Sequence, residues 1–253
     1  MSSIQQDLSI FNKFNFKLPP VGVKYLFDKP EAITRLDKNL ALCELLREAQ
    51  ERTTPFYVDL DNLACAPSAY VWGQDVSKVF KSGHFGVELE YFKDPSPNRK
   101  VYQYLPRIAP EGVVNYIAFA PISQLSFYPD LFIIFTDTAS QTEIVLRAMS
   151  YSTGQIWSSE MSGVLGCAWI FAYPYVSGEV NYMVTGLGLG MKSRRVFPEG
   201  HQIISIPYNW LPIITQNLQE MQWVLPAYST DDLQKFIERI YTDLGIPVPG
   251  DSF

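Results

Sequence analysis

Asp130-Leu131-Phe132-Ile133-Ile134-Phe135-Thr136 sets the fold class. An unbroken apolar run of β-branched and aromatic residues, closed at both ends by polar ones, describes a strand covered on both faces. Ser140 or Thr142 then opens a helix through Met149, with Ile144, Val145 and Ala148 on its apolar side. A buried strand leading into an amphipathic helix is the unit of an α/β protein, and a mixed α+β arrangement satisfies the same pattern.

The same order occurs upstream. Leu18 to Phe27 opens on Pro19-Pro20, which blocks a helix start, and continues as a strand. Leu40 to Gln50 places Leu42, Leu45, Leu46 and Ala49 on one helical face. Phe56-Tyr57-Val58 reads as a short strand, and Asp61 or Asn62 as the cap of a helix running to Trp72, interrupted early by Pro67. Gly83 to Gly86 reads as a turn, Val87 to Phe92 as a strand with Glu88 and Glu90 on its wet face, and Asp94 to Asn98 as an exposed loop. Downstream of the helix, Gln155-Ile156-Trp157 is strand-like, and Asn181 to Thr185 is a strand before the glycine run Gly186-Leu187-Gly188-Leu189-Gly190.

Leu46-Arg47 matches Leu146-Arg147, and Pro110-Glu111-Gly112 recurs as Pro198-Glu199-Gly200, each time before a strand-like run. These matches predict an internal duplication. The expected organisation is an N-terminal helical arm over 1–17 and one domain over 18–208, made of related halves at about 18–125 and 126–208. A C-terminal helical extension then covers 209–253. In that extension Asn209 to Met221 and Asp231 to Leu244 read as helices, the second capped by Ser229 or Thr230. They pack on the domain edge or pair between subunits of a homo-oligomer.

Composition narrows the function classes. The chain has 253 residues, 47% of them apolar and 18% charged, ample for a real core. Lys and Arg number 20 against 26 Asp and Glu, giving a net charge of -6. An acidic chain of this kind is not built for nucleic acid or an anionic membrane. The most apolar stretch, Met161 to Val176, contains Pro174 and falls short of the roughly 20 residues a spanning helix needs. Three widely spaced cysteines make no disulfide framework, and no secretory leader is read, so a cytoplasmic, reducing location is expected.

Little in the chain resembles known catalytic machinery. The glycine run is not the G-x-G-x-x-G fingerprint, because its third glycine comes one residue early, and no Walker lysine follows. Yet Gly188 and Gly190 stand beside Lys192, Arg194 and Arg195, a backbone-rich, cationic stretch suited to a carboxylate or phosphate. The bland reading is a tight turn with a solvated basic flank. His84, between Gly83 and Gly86, is the one catalytic candidate; a turn histidine bonded to a carbonyl explains it equally. His201 decorates a turn. No C-x-x-C exists, so a zinc ribbon is excluded. Cys43, Cys65 and Cys167, from three separate segments, can still converge. Three thiolates with an open fourth position would hold a [4Fe-4S] cluster whose free iron acts as a Lewis acid. The alternative is three small buried hydrophobes.

The order of these pieces resembles the prokaryotic domain-of-unknown-function family 169, from about Leu18 to Met221. The matching residues are Pro19 to Lys24, Leu42-Cys43-Glu44 with Arg47-Glu48-Ala49, and Leu63-Ala64-Cys65 with Pro67-Ser68-Ala69 and Gly73. Gly83 to Gly86, Asp130 to Phe135, Gly166-Cys167-Ala168 and Asn181 leading into Gly186 to Arg195 complete them. The resemblance implies a cytoplasmic protein of bacteria or archaea, often anaerobes, with cysteines recurring at the positions of Cys43, Cys65 and Cys167. A further cysteine common in the glycine-rich stretch of relatives is absent here, where Leu187 to Gly190 stand, so a cluster would keep an open or non-cysteine position. The resulting expectation is a small-molecule enzyme of anaerobic or cofactor metabolism acting on an anionic molecule. The alternative is a non-catalytic small-molecule binding or accessory protein with structural cysteines.

Overall fold

A computed structural model describes residues 6–75, 77–225, 228 and 230–248, apart from the side chains at 230 and 232. Part of the expected N-terminal arm (1–5), the cap candidate Ser229 and the last residues of the C-terminal extension lie outside this description.

Seven strands form one mixed sheet. They are β1 (Val21–Leu26), β2 (Thr34–Arg35), β3 (Phe56–Val58), β4 (Tyr116–Pro121), β5 (Leu131–Thr136), β6 (Asn181–Val184) and β7 (Gln202–Pro207). Their order is β2-β3-β4-β1-β5-β7-β6, antiparallel throughout except for the β2–β3 pair. Every residue of β5 is buried, as its composition requires. Leu131, Ile133 and Phe135 face one core, and Phe132 and Ile134 face the other. Read outward from the β1–β5 pair, one side runs β1, β4, β3, β2 and the other β5, β7, β6.

In chain order the helices begin with α1 (Leu42–Glu51), α2 (Ala66–Trp72), α3 (Lys78–Ser82), α4 (His84–Glu88) and α5 (Pro95–Tyr104). Next come α6 (Ala139–Ser150), α7 (Tyr173–Ser177), α8 (Leu189–Ser193), α9 (Leu211–Glu220) and α10 (Thr230–Asp243). The first core face is covered by α1, α2 and a π-helical turn, Ala168–Ala172, that runs into α7. The second is covered by α6, α9 and a 3₁₀ helix, Ser9–Phe14, whose Phe11 and Phe14 are buried. Thus α1 and α6 lie on opposite faces of the sheet. Leu233, Phe236 and Ile240 of α10 remain exposed.

The π turn leaves carbonyls that an α-helix would satisfy internally. Tyr25 Oη donates to Phe171 O at 2.9 Å, and Asn181 Nδ2 to Trp169 O at 2.8 Å. Asn181 also bonds both backbone groups of Glu160, so one buried amide pins this turn to β6.

Several local expectations are corrected. Val87 to Phe92 is not a strand: α4 ends at Glu88, and Glu90 adopts a left-handed backbone that reverses the chain. A four-residue alternation is too short to outweigh a segment lying off the sheet, and its Glu88 and Glu90 share no strand face. Asp94 to Asn98 is not a loop but the start of α5. Asp94 accepts from Ser96 N at 2.8 Å, and the prolines fall in the first turn, where a missing N–H costs little. For the same reason Pro67 begins α2 rather than interrupting it. Residues 60–62 form a separate 3₁₀ turn, so neither Asp61 nor Asn62 caps α2. Thr138, not Ser140 or Thr142, caps α6. Gln155 to Trp157 runs exposed and joins no strand.

The start of α1 is tied to the loop before α2. Leu40 N donates to Asn62 O and Ala64 N to Leu40 O. Asn62 Nδ2, fully buried, donates to Leu36 O and Lys38 O, both at 2.9 Å, and its Oδ1 accepts from Asp59 N. Asn62→Ala strands these backbone groups without partners. Urea unfolding of this variant will show a loss of about 2–3 kcal/mol, whereas an exposed substitution such as Asp61→Ala will lie within about 0.5 kcal/mol of the parent.

Candidate functional site

Cys43, Cys65 and Cys167 line one cavity of about 430 Å³. Each sits at the beginning of a helical segment. Cys43 is the second residue of α1, Cys65 is the residue that caps α2, and Cys167 immediately precedes the π turn. A helix start favours negative charge on a nearby sulfur.

Ser68 joins the three segments. Its buried hydroxyl accepts from Leu42 N at 3.1 Å, and it hydrogen-bonds the Cys167 sulfur. Arg194, which follows α8, completes the group. It bonds the Cys65 sulfur and lies 3.5 Å from Glu44, whose other contact is the Ala41 amide at 2.7 Å. Glu44 thus both closes the first turn of α1 and orients Arg194.

The charge states reflect two opposed effects. Burial pushes the Cys43 thiol up to about 12, and the neighbouring Glu44 and Cys65 add to it; Arg194 pulls the other way. Burial raises Cys167 further, with Cys43 and Cys65 adding to it and Ser68 opposing. The mutual influence of the three thiols places them within electrostatic reach of one another. Arg194 loses by burial but gains more from Cys65, Glu44 and Cys43, so its cation is held more firmly than usual. Tyr102, also on the cavity wall, is raised to about 12 by burial, Tyr70 and Cys167.

The rest of the wall is mostly apolar: Phe80, Phe85, Leu89, Val164 and Leu165, with Asn98 as a buried polar exception. These residues, with Ser68 and Tyr102, carry no sequence motif. The nearest sequence signal is the Gly83–Gly86 frame, which contains Phe85. His84 is exposed at the start of α4 and lines neither this cavity nor the cleft described next.

The cationic glycine stretch divides between two places. Gly190 and Arg194 line the cysteine cavity. Lys192, Arg194 and Arg195 line an outer cleft of about 730 Å³ that also contains Glu44, Arg47, Glu48, Glu51 and Glu199. Lys192 is paired with Glu199 at 3.2 Å and Arg47 with Glu51 at 2.6 Å. Gly188 lines neither. A Cβ there would stand 2.7 Å from Met191 Cε, so its role is close packing. The next amide, Leu189 N, is spent on Gly163 O. Arg194 is the one residue shared by cavity and cleft. Among the described residues no group of three or more His, Cys, Asp or Glu is placed to hold a metal ion, and no helix is long and apolar enough to cross a membrane.

The chain belongs to the DUF169 family, described as an uncharacterised ArCR group, whose sequence pattern matches residues 9–217. No curated protein and no solved structure matches it.

The raised thiols predict a pH dependence for the metal-free protein. A thiol held more firmly folded than unfolded contributes stability that is complete below pH 9.0, its ordinary value, and is lost as pH rises towards about 12. Denaturation midpoints will therefore fall steadily above pH 9, and the fall will shrink in Cys43→Ala. Thiolate absorbance will show Cys43 and Cys167 still protonated at about pH 10, where an unfolded control is ionised.

Proposed function

We propose that this protein is an enzyme of anaerobic or cofactor metabolism carrying a [4Fe-4S] cluster on Cys43, Cys65 and Cys167, its fourth iron left open to a small anionic molecule. The observation that carries the reading is the meeting of three thiols, from positions 43, 65 and 167, with Arg194 at one cavity. A cluster places each cysteine on a different iron. It therefore asks for three sulfurs around a shared space, not for the tight triad of a single ion. When bound, the open iron would act as a Lewis acid.

The chain's own residues account for the remaining needs. Three helix starts and Arg194 offset the charge of thiolates that burial alone would keep protonated. Ser68 steadies Cys167. Phe80, Phe85 and Leu89 screen the space from bulk water, and Arg194 supplies the cation for the bound molecule. Thiolate ligation fits a reducing compartment, so the reading includes a cytoplasmic location.

A second reading draws on the strong upward pull of burial on Cys43 and Cys167 and on the apolar wall. It is a non-catalytic small-molecule binding protein with packed thiols.

Iron and acid-labile sulfide, measured on protein purified without oxygen, separate the two. The proposal expects about four of each per chain, with the visible chromophore lost in Cys65→Ser. Iron near zero after reconstitution would overturn it and leave the binding protein.

A further inference from the structure

Of the residues lining the cysteine cavity, Arg194 alone carries a full charge. Its side chain is about one-third exposed and lines both the cavity and the outer cleft. On the opposite wall Phe85 and Leu89 are 39% and 46% exposed, large apolar side chains with surface still uncovered. They stand with Phe80 on or just after α3 and α4. The cavity therefore offers one cation and a partly uncovered apolar wall.

From this we infer that the ligand is an organic carboxylate with an apolar body: its carboxylate meets Arg194, and its hydrocarbon part covers Phe80, Phe85 and Leu89. The inference rests on the reading of the cysteine cavity as the functional site, and it names the class of molecule that site takes. A small inorganic oxyanion would leave the apolar wall bare. A neutral hydrocarbon would leave Arg194 without gain. A polyanion would find only one cation on the cavity wall, since Lys192, Arg195 and Arg47 line the outer cleft and not the cavity. Arg194 keeps capacity for the task. It has five N–H donors, and its approach to Glu44 is long at 3.5 Å. A cavity of about 430 Å³ lies in the size range of small-molecule sites.

Calorimetric titration with octanoate and with 1-octanol, which share a chain and differ in charge, tests the inference. Both are titrated into iron-loaded and iron-free protein. Octanoate is expected to bind about tenfold or more tightly than octanol, the scale of one charge-assisted contact. Arg194→Gln should remove that advantage while leaving octanol binding unchanged, and Arg194→Lys should restore part of it. Phe85→Ala should weaken both ligands alike. Circular dichroism and thermal melting establish that each variant is folded.

Equal binding of the two ligands, an Arg194→Gln variant with undiminished preference for octanoate, or no binding to either form would each overturn the inference. Inorganic phosphate displacing octanoate at similar concentration would also overturn it, because the apolar body would then contribute nothing. The outcomes separate from those of the cluster. Octanoate preference in protein that never takes up iron sustains the ligand class while the cluster reading falls. Full iron with no octanoate preference does the reverse.

Discussion

The Ser68 hydroxyl is where three distant parts of the chain meet. It accepts from the amide beside Cys43, lies three residues after Cys65 on the same helix, and bonds the sulfur of Cys167. A buried hydroxyl gains by keeping such partners within reach. Around it stand the other ties that fix those segments. Asn62 and the Leu40–Ala64 contacts hold the start of α1 against the loop of Cys65. Asn181 and Tyr25 hold the π turn after Cys167 against the sheet. The cavity exists because these polar contacts are made inside an otherwise apolar layer.

That layer creates a tension. Burial on the first face of the sheet keeps the thiols neutral, whereas helix starts and Arg194 favour their ionised form. A site made only for packing would have no use for a cation held beside two of its cysteines. A site made for a thiolate-bound cluster uses both effects: the apolar wall excludes water, and the fixed dipoles and Arg194 balance the charge that ligation introduces.

Much of the scaffold could be read from residue pattern. The run from Leu131 to Phe135 is a central strand because nothing else buries five large apolar residues on two faces. The segments of β1, α1, β3, β7 and α9 followed from periodicity in the same way. Reading failed where proline was taken as a breaker. Pro67, Pro95 and Pro97 lie in first turns, where their fixed backbone assists the helix. The same pattern reading fails over Val87 to Phe92, because the segment lies off the sheet and its Leu89 lines the cavity instead. The three cysteines and Arg194 could be named from the sequence, but their meeting could not. Ser68, Asn98 and Tyr102 are ordinary residues whose importance arises only from a convergence set by long-range contacts. His84 attracted notice for its flanking glycines, yet those glycines serve close packing against Pro95 and Asn98.

The central claim is that the three cysteines surround one cluster. Anomalous diffraction at the iron absorption edge, from crystals grown without oxygen, tests it most directly. The account predicts a compact iron peak in the cavity bounded by the sulfurs of Cys43, Cys65 and Cys167, beside Arg194. Iron located elsewhere, or a cavity without anomalous signal in protein reconstituted with iron and sulfide, would contradict it.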